Sequence, residues 1–221
     1  AGHGSAPPGI GEVVRVLLSK PSFWGLSFGA SAASMMGYGL FFWLPSFLVR
    51  SYGLSLLDAS LYFGAILLVG GIAGIWLGGS LADRFGAARR RAYAIIPAVA
   101  FLATIPFYVA VMISDSLALS FVLFLVPTAL GLVWLGPVLS SIAHVVPPNM
   151  RATASAVFLF VNNLIGIGLG TVALGALSDI LAARFGADSL RYAILAGTVF
   201  YLVAAALFLL SARRLERDWM Q

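Results

Sequence analysis

Charged residues divide the chain into six long neutral runs. Pro21–Val49 (29 residues), Ala59–Ala82 (24), Ala92–Ser114 (23), Ser116–Met150 (35), Ala152–Ser178 (27) and Tyr192–Ala212 (21) hold no Asp, Glu, Lys or Arg. About 20 apolar residues, rising roughly 1.5 Å each, cross a hydrocarbon layer of about 30 Å, so each run predicts a transmembrane helix. None of the runs alternates with the period of two that a membrane β-barrel requires. The fourth helix is expected to stop near Val146, because Pro147 and Pro148 remove two backbone donors and block helix continuation. The first 20 residues are Gly/Pro-rich before a short amphipathic stretch at Gly11–Ser19, and they do not read as a cleavable signal peptide. The expected organisation is a linker over residues 1–20, a six-helix bundle over 21–212 and a tail over 213–221.

Composition agrees with that pattern and narrows the function. The chain is 61% hydrophobic and 10% charged, far from the balance of a soluble domain, whose surface is mostly polar. Soluble enzymes, nucleic-acid binders and disordered segments are thereby excluded. No cysteine is present, and the two histidines, His3 and His144, are far apart, so neither a disulfide nor a metal site is expected. No nucleophile–base pair or paired carboxylates suggest an enzyme, and no cofactor is expected. The ends of the runs place Arg15, Lys20, Arg84, Arg89, Arg90, Arg91, Arg151, Arg213, Arg214 and Arg217 on one side, against Arg50, Arg184 and Arg191 on the other. Basic residues collect on the cytoplasmic side, which puts both termini there.

The second run ends Gly79-Ser-Leu81-Ala-Asp83 and the fifth ends Gly175-Ala-Leu177-Ser-Asp179, the same G-x-L-x-D pattern. Gly39-Leu40-Phe-Phe-Trp43-Leu44-Pro45 similarly echoes Gly131-Leu132-Val-Trp134-Leu135-Gly-Pro137. Spans 1–3 and 4–6 therefore read as two copies of a three-helix unit. Because three is odd, the second copy enters the membrane inverted, as in the nested repeats of secondary transporters. The predicted fold class is an all-α membrane protein with six transmembrane helices in two inverted three-helix repeats.

At the second loop, Gly79-Ser-Leu-Ala-Asp83-Arg84-Phe-Gly86-Ala-Ala-Arg89-Arg90-Arg91 resembles the major facilitator superfamily signature G-x-x-x-D-R-x-G-R-R, with the arginine cluster displaced by two alanines. Arg151-Ala-Thr-Ala-Ser-Ala, Asn162-Asn163-Leu-Ile-Gly166-Ile-Gly168-Leu-Gly170 and Arg184-Phe-Gly-Ala-Asp188-Ser-Leu-Arg191-Tyr192 resemble the spinster-type branch. The resemblance covers essentially the whole chain, as the second half of a twelve-helix transporter. It implies a missing amino-terminal six-helix half as partner, a bacterial inner (cell) membrane location and alternating access. It also implies proton coupling and an amphipathic, lipid-like substrate such as a lysophospholipid or sphingoid phosphate. Another organic anion or drug-like substrate on the same fold is the alternative; a non-transporting six-helix assembly factor or receptor is the rival of a different class.

Candidate site residues follow from polar groups inside the runs. Ser27, Ser31, Ser34 and Tyr38 share one helical face, which either lines a cavity or forms a serine-lined helix contact. Asn162 and Asn163 point about 100° apart, so one aims at a cavity while the other bonds a neighbouring helix. Trp134 at mid-span needs a partner for its N–H, and its counterpart Trp43 and it both compete with the interfacial-anchor reading. Ser31, Ser34, Tyr38, Phe42, Trp134, Asn162 and Asn163 are the expected substrate-binding set. Gly70, Gly74 and Gly78 form a packing ridge. Asp83, Arg84, Arg89 and Arg90 are the expected gate, with Asp83 acting either across the gate or only in ordering its own turn. No ionisable group lies deep in any run, so a titrating group for proton coupling is expected in the other half.

Overall fold

A computed structural model describes residues 9–220 apart from Ala87, and every regular element among them is helical. The helices are α1 (Ile10–Leu18), α2 (Pro21–Tyr52), α3 (Leu56–Leu81), α4 (Ala92–Ile113), α5 (Leu117–Leu132), α6 (Leu135–His144), α7 (Arg151–Phe185), α8 (Ser189–Gly197) and α9 (Val199–Asp218). Residues 1–8 of the expected linker, His3 among them, lie outside the described residues. The amphipathic helix α1 is present, with Val13 and Leu17 buried against the bundle.

Five helical stretches are long and apolar enough to cross a membrane, and the last, Pro148–Asp218, doubles back. Gly186 turns the chain there at φ +52, a conformation glycine adopts without a Cβ penalty. The two arms then run antiparallel: Ser178 and Ser189 share a hydrogen bond of 3.1 Å, and Gly197 lies against Leu174. The crossings are thus six: α2, α3, α4, α5–α6, α7 and α8–α9. The fourth is interrupted at Val133–Trp134, because Pro137 has no N–H for the Val133 carbonyl and its ring crowds that carbonyl. Its helix ends at His144, close to the expected stop.

Glycines set the packing. On α3, a Cβ at Gly74 would run into the Ala129 carbonyl of α5, and one at Gly78 into the Val133 carbonyl. On α7, a Cβ at Gly170 would strike the Met35 backbone of α2, and one at Gly166 would lie 2.6 Å from the Ser34 Cβ. Gly70 and Gly74 precede Gly166 and Gly170 by the same 96 residues that separate the two G-x-L-x-D copies. Ser34 and Met35 stand against α7 as Thr128 and Ala129 stand against α3. Each repeat therefore lays its second helix on the first helix of the other, which is the inverted-repeat arrangement. The third helices, α4 and α9, meet at the centre through stacked Tyr108 and Tyr201.

The end that carries both termini is stitched by the tail. α9 runs past Ala212 to Asp218, whose buried carboxylate accepts from the Ser22 N–H (3.1 Å) and hydroxyl (2.7 Å) at the positive end of α2. Trp219 stacks on His144 and Tyr93, with Arg90 over its ring at 4.9 Å. Arg91 pairs with Glu216 at 3.0 Å, and that hydrogen bond holds the Glu216 carboxyl below its ordinary pKa.

A comparison of neighbouring glycines tests this packing. Gly170→Ala should lower stability by about 1–3 kcal/mol through overpacking, while Gly168→Ala, with nothing within 4 Å of the added carbon, should leave the melting temperature in detergent unchanged or slightly raised. Equal melting of the two variants would show that the helices do not approach at Gly170.

Candidate functional site

A cavity of about 320 Å³ opens on one face of the bundle. α2 contributes Ser34, Tyr38 and Phe41; α3 contributes Phe63 and Leu67; α5 contributes Pro127 and Thr128; α7 contributes Leu159, Asn162 and Asn163. Trp134 sits at the break between α5 and α6, and Tyr108 and Tyr201 form the floor. The lining is mainly apolar, with a few hydroxyls, two carboxamides and no ionised side chain, a composition suited to a small or amphipathic ligand.

The close contact of α2 with α7 positions the polar groups. Where Gly166 brings the backbones together, the Ser34 hydroxyl donates to Asn162 Oδ1 at 2.9 Å. Asn162 is 3% exposed, and this bond satisfies an acceptor whose burial alone would cost about 1–3 kcal/mol. One turn further on, the Tyr38 hydroxyl donates to the exposed Asn163 Oδ1 at a longer 3.4 Å. Both asparagines border the cavity: Asn162 is fixed to its neighbour helix and Asn163 is the freer of the two. Trp134 packs edge-on to Phe158, and its indole N–H has no acceptor among the described residues, leaving it for the cavity. Trp43, its counterpart, instead donates to the Thr171 carbonyl at 2.9 Å and covers Gly175, so it ties α2 to α7.

Two expected residues stand elsewhere. Ser31 is buried and donates to the Ser27 carbonyl of its own helix at 2.8 Å, as Ser27 does to Phe23; the lower serines form a packing face rather than cavity wall. Phe42 turns outward beside Trp43, and its neighbour Phe41, about 100° round the helix, faces Phe63 at the cavity edge. Tyr108 and Tyr201 were not singled out by sequence. Their signal is chemical only, since a mid-span tyrosine needs a polar neighbour; the 96-residue offset of the repeat pairs Tyr108 with Ala204 and not with Tyr201.

At the loop after α3, Asp83 and Arg84 lie in a wide turn over Ala82–Gly86. Asp83, Arg84, Arg89 and Arg90 are all exposed, and Asp83 forms no ion pair among the described residues. Arg84 lies over Phe85 and Arg90 over Trp219. Gly86 packs directly on the Tyr93 ring, so a side chain there would displace the turn.

The Major Facilitator Superfamily family model matches residues 2–171. The chain is 34% identical over 203 residues to an MFS-type efflux pump of Mycolicibacterium smegmatis, covering 91% of this chain and 47% of that protein. It is 29% identical over 225 residues to Protein spinster homolog 1 of Xenopus tropicalis, covering 93% and 43%. The crystal structure of a bacterial homolog to the human lysosomal transporter Spinster, inward-facing and unoccupied, superimposes with a TM-score of 0.88 at 29% identity, covering 100% of this chain and 54% of that one. The chain thus spans about half the length of the relatives that it matches.

The Ser34–Asn162 bond is open to a double-mutant cycle. Ser34→Ala and Asn162→Ala should show a coupling of about 0.6–1.7 kcal/mol in thermal unfolding, and Tyr38→Phe with Asn163→Ala a smaller one. A Ser34–Asn162 coupling of zero would mean that the bond does not form.

Proposed function

As this chain belongs to the Major Facilitator Superfamily, we propose that it is the carboxy-terminal half of a secondary transporter that works by alternating access. The observation that carries this reading is the one-sided cavity: Tyr38, Trp134 and Asn163 present polar groups on a face that none of the described residues covers. A second six-helix half closing over that face would complete the site, and rocking of the two halves would expose it to each side in turn. Both termini lie on the cytoplasmic side of the bacterial inner membrane in this reading, by the arginine asymmetry.

The substrate is amphipathic and lipid-like, a lysophospholipid or sphingoid phosphate. The apolar wall of Phe41, Phe63, Leu67 and Leu159 suits an acyl chain, and Asn162, Asn163 and Trp134 suit a glycerol or amide region. With no cation in this lining, the phosphate requires one from the other half, and any proton coupling requires a titrating group from there as well. A second reading is efflux of a drug-like molecule on the same fold, favoured by the 34% identity to an efflux pump. Transport of a substrate panel by the assembled protein separates the two. Tyr38→Ala and Trp134→Ala should weaken binding of the transported class several-fold, whereas Ser31→Ala should not; equal affinities in all three would remove the cavity from the binding site.

Asp83 serves as a cytoplasmic gate. A carboxylate at the end of a membrane helix is mildly unfavourable against the dipole, and without an ion pair in its own turn it is available to a helix N-terminus of the opposite half. Closing that side favours the outward-open state. Asp83→Asn should therefore raise labelling of the cytoplasmic cavity, and more than Asp179→Asn does. Labelling equal to wild type would reduce Asp83 to a turn residue.

A further inference from the structure

A second concavity of about 360 Å³ lies between α2 and α9, at the end that carries both termini. Its wall is the pair Trp24 and Phe28, stacked at 5.8 Å. Trp24 is held in place because its indole N–H donates to the Leu17 carbonyl at the end of α1, 3.1 Å away. The floor is formed where Gly25 meets Ser211 so closely that a Cβ would collide with the hydroxyl. Ser211 donates that hydroxyl to the Leu207 carbonyl, leaving the floor without a free donor. Leu207 and Leu210 close the α9 side, and Arg213 and Arg214 stand at the rim. Both arginines are exposed, and neither forms an ion pair among the described residues.

The groove faces away from the transport cavity on both helices. At 100° per residue, Gly25 lies about 180° round α2 from Ser34, and Leu210 about 180° round α9 from Tyr201. The cavity face is where the second half closes, so the groove is turned to lipid. Apolar aromatic walls below two unpaired guanidiniums at the membrane boundary match an amphiphile with an anionic head and an acyl chain. Basic pockets between transmembrane helices recognise such headgroups, whose phosphate accepts paired guanidinium hydrogen bonds.

We propose that this groove is a binding site for an anionic phospholipid of the adjacent leaflet, with the phosphate on Arg213 and Arg214 and an acyl chain against Trp24 and Phe28. It rests on the reading that the cavity faces the second half, but it concerns lipid retention and not transport, so each can fail alone. The test is native mass spectrometry of the purified, delipidated full-length transporter titrated with dioleoyl phosphatidylglycerol or dioleoyl phosphatidylcholine. Wild type should bind phosphatidylglycerol more tightly. Near-surface basic residues each contribute about fivefold to anionic-lipid affinity, so Arg213→Gln/Arg214→Gln should lose roughly 25-fold, whereas Arg50→Gln/Arg184→Gln, at the other end, should lose none. Trp24→Ala should weaken both lipids similarly. Circular dichroism matching wild type establishes that the variants are folded. No preference for phosphatidylglycerol in wild type, or a preference retained by Arg213→Gln/Arg214→Gln, overturns the proposal. Displacement of phosphatidylglycerol by millimolar inorganic phosphate also overturns it, since the acyl chain would then contribute nothing.

Discussion

The close approach of two pairs of parallel helices at glycine is the constraint on which the rest of this structure depends. In lipid, apolar burial gives helices little reason to associate, and van der Waals contact between backbones takes over. α3 meets α5 at Gly70, Gly74 and Gly78, and α7 meets α2 at Gly166 and Gly170, each close enough to leave no room for a methyl group at its centre. These contacts cross between the two repeats. The second helix of one copy is held by the first helix of the other, so neither three-helix unit is complete without its partner.

The cavity follows from that frame and from where the two copies differ. The two contacts share a backbone arrangement but carry different side chains. Beside Gly166 stands Ser34, which reaches Asn162; beside Gly70 stands Thr128, whose methyl packs without a polar partner on α3. Pro137 breaks the fourth span at Trp134 and lets that indole face the cavity, whereas Trp43, in an unbroken helix, is bonded to α7. Symmetry supplies the scaffold, and departures from it supply the chemistry. The polar face on which these departures gather is the one left open, while the opposite faces of α2 and α9 carry an aromatic and basic groove toward lipid.

The membrane class, the six crossings and the repeat were legible because they depend on hydropathy over twenty residues and on short motifs that survive duplication. The glycine ridge was legible for the same reason: Gly70-x-x-x-Gly74-x-x-x-Gly78 on a lipid helix marks a close-packing face. Individual cavity residues were legible only in part. Ser31 and Ser34 share a face, yet Ser31 bonds its own backbone and Ser34 bonds α7, and the difference lies in a glycine 132 residues after Ser34, at Gly166. Phe42 and Phe41 differ by one position, which sequence pattern cannot resolve in a span that is apolar all round. Tyr108 and Tyr201 carry no such mark, since no motif runs through the third and sixth spans and the 96-residue offset pairs Tyr108 with Ala204. The tail was illegible for another reason: Asp218 caps α2 across 196 residues of chain.

The central claim is that the face bearing Tyr38, Trp134 and Asn163 borders water inside an assembled transporter and not lipid. This chain contains no cysteine, so a single introduced thiol reports its own surroundings once labelling of the partner half is subtracted. A thiol reacts as its thiolate, which needs water. In the assembled protein, Asn163→Cys should react with a membrane-impermeant charged thiol reagent many times faster than Val203→Cys, an exposed position on the far side of α9 from Tyr201. Equal reaction rates at the two positions would contradict the account.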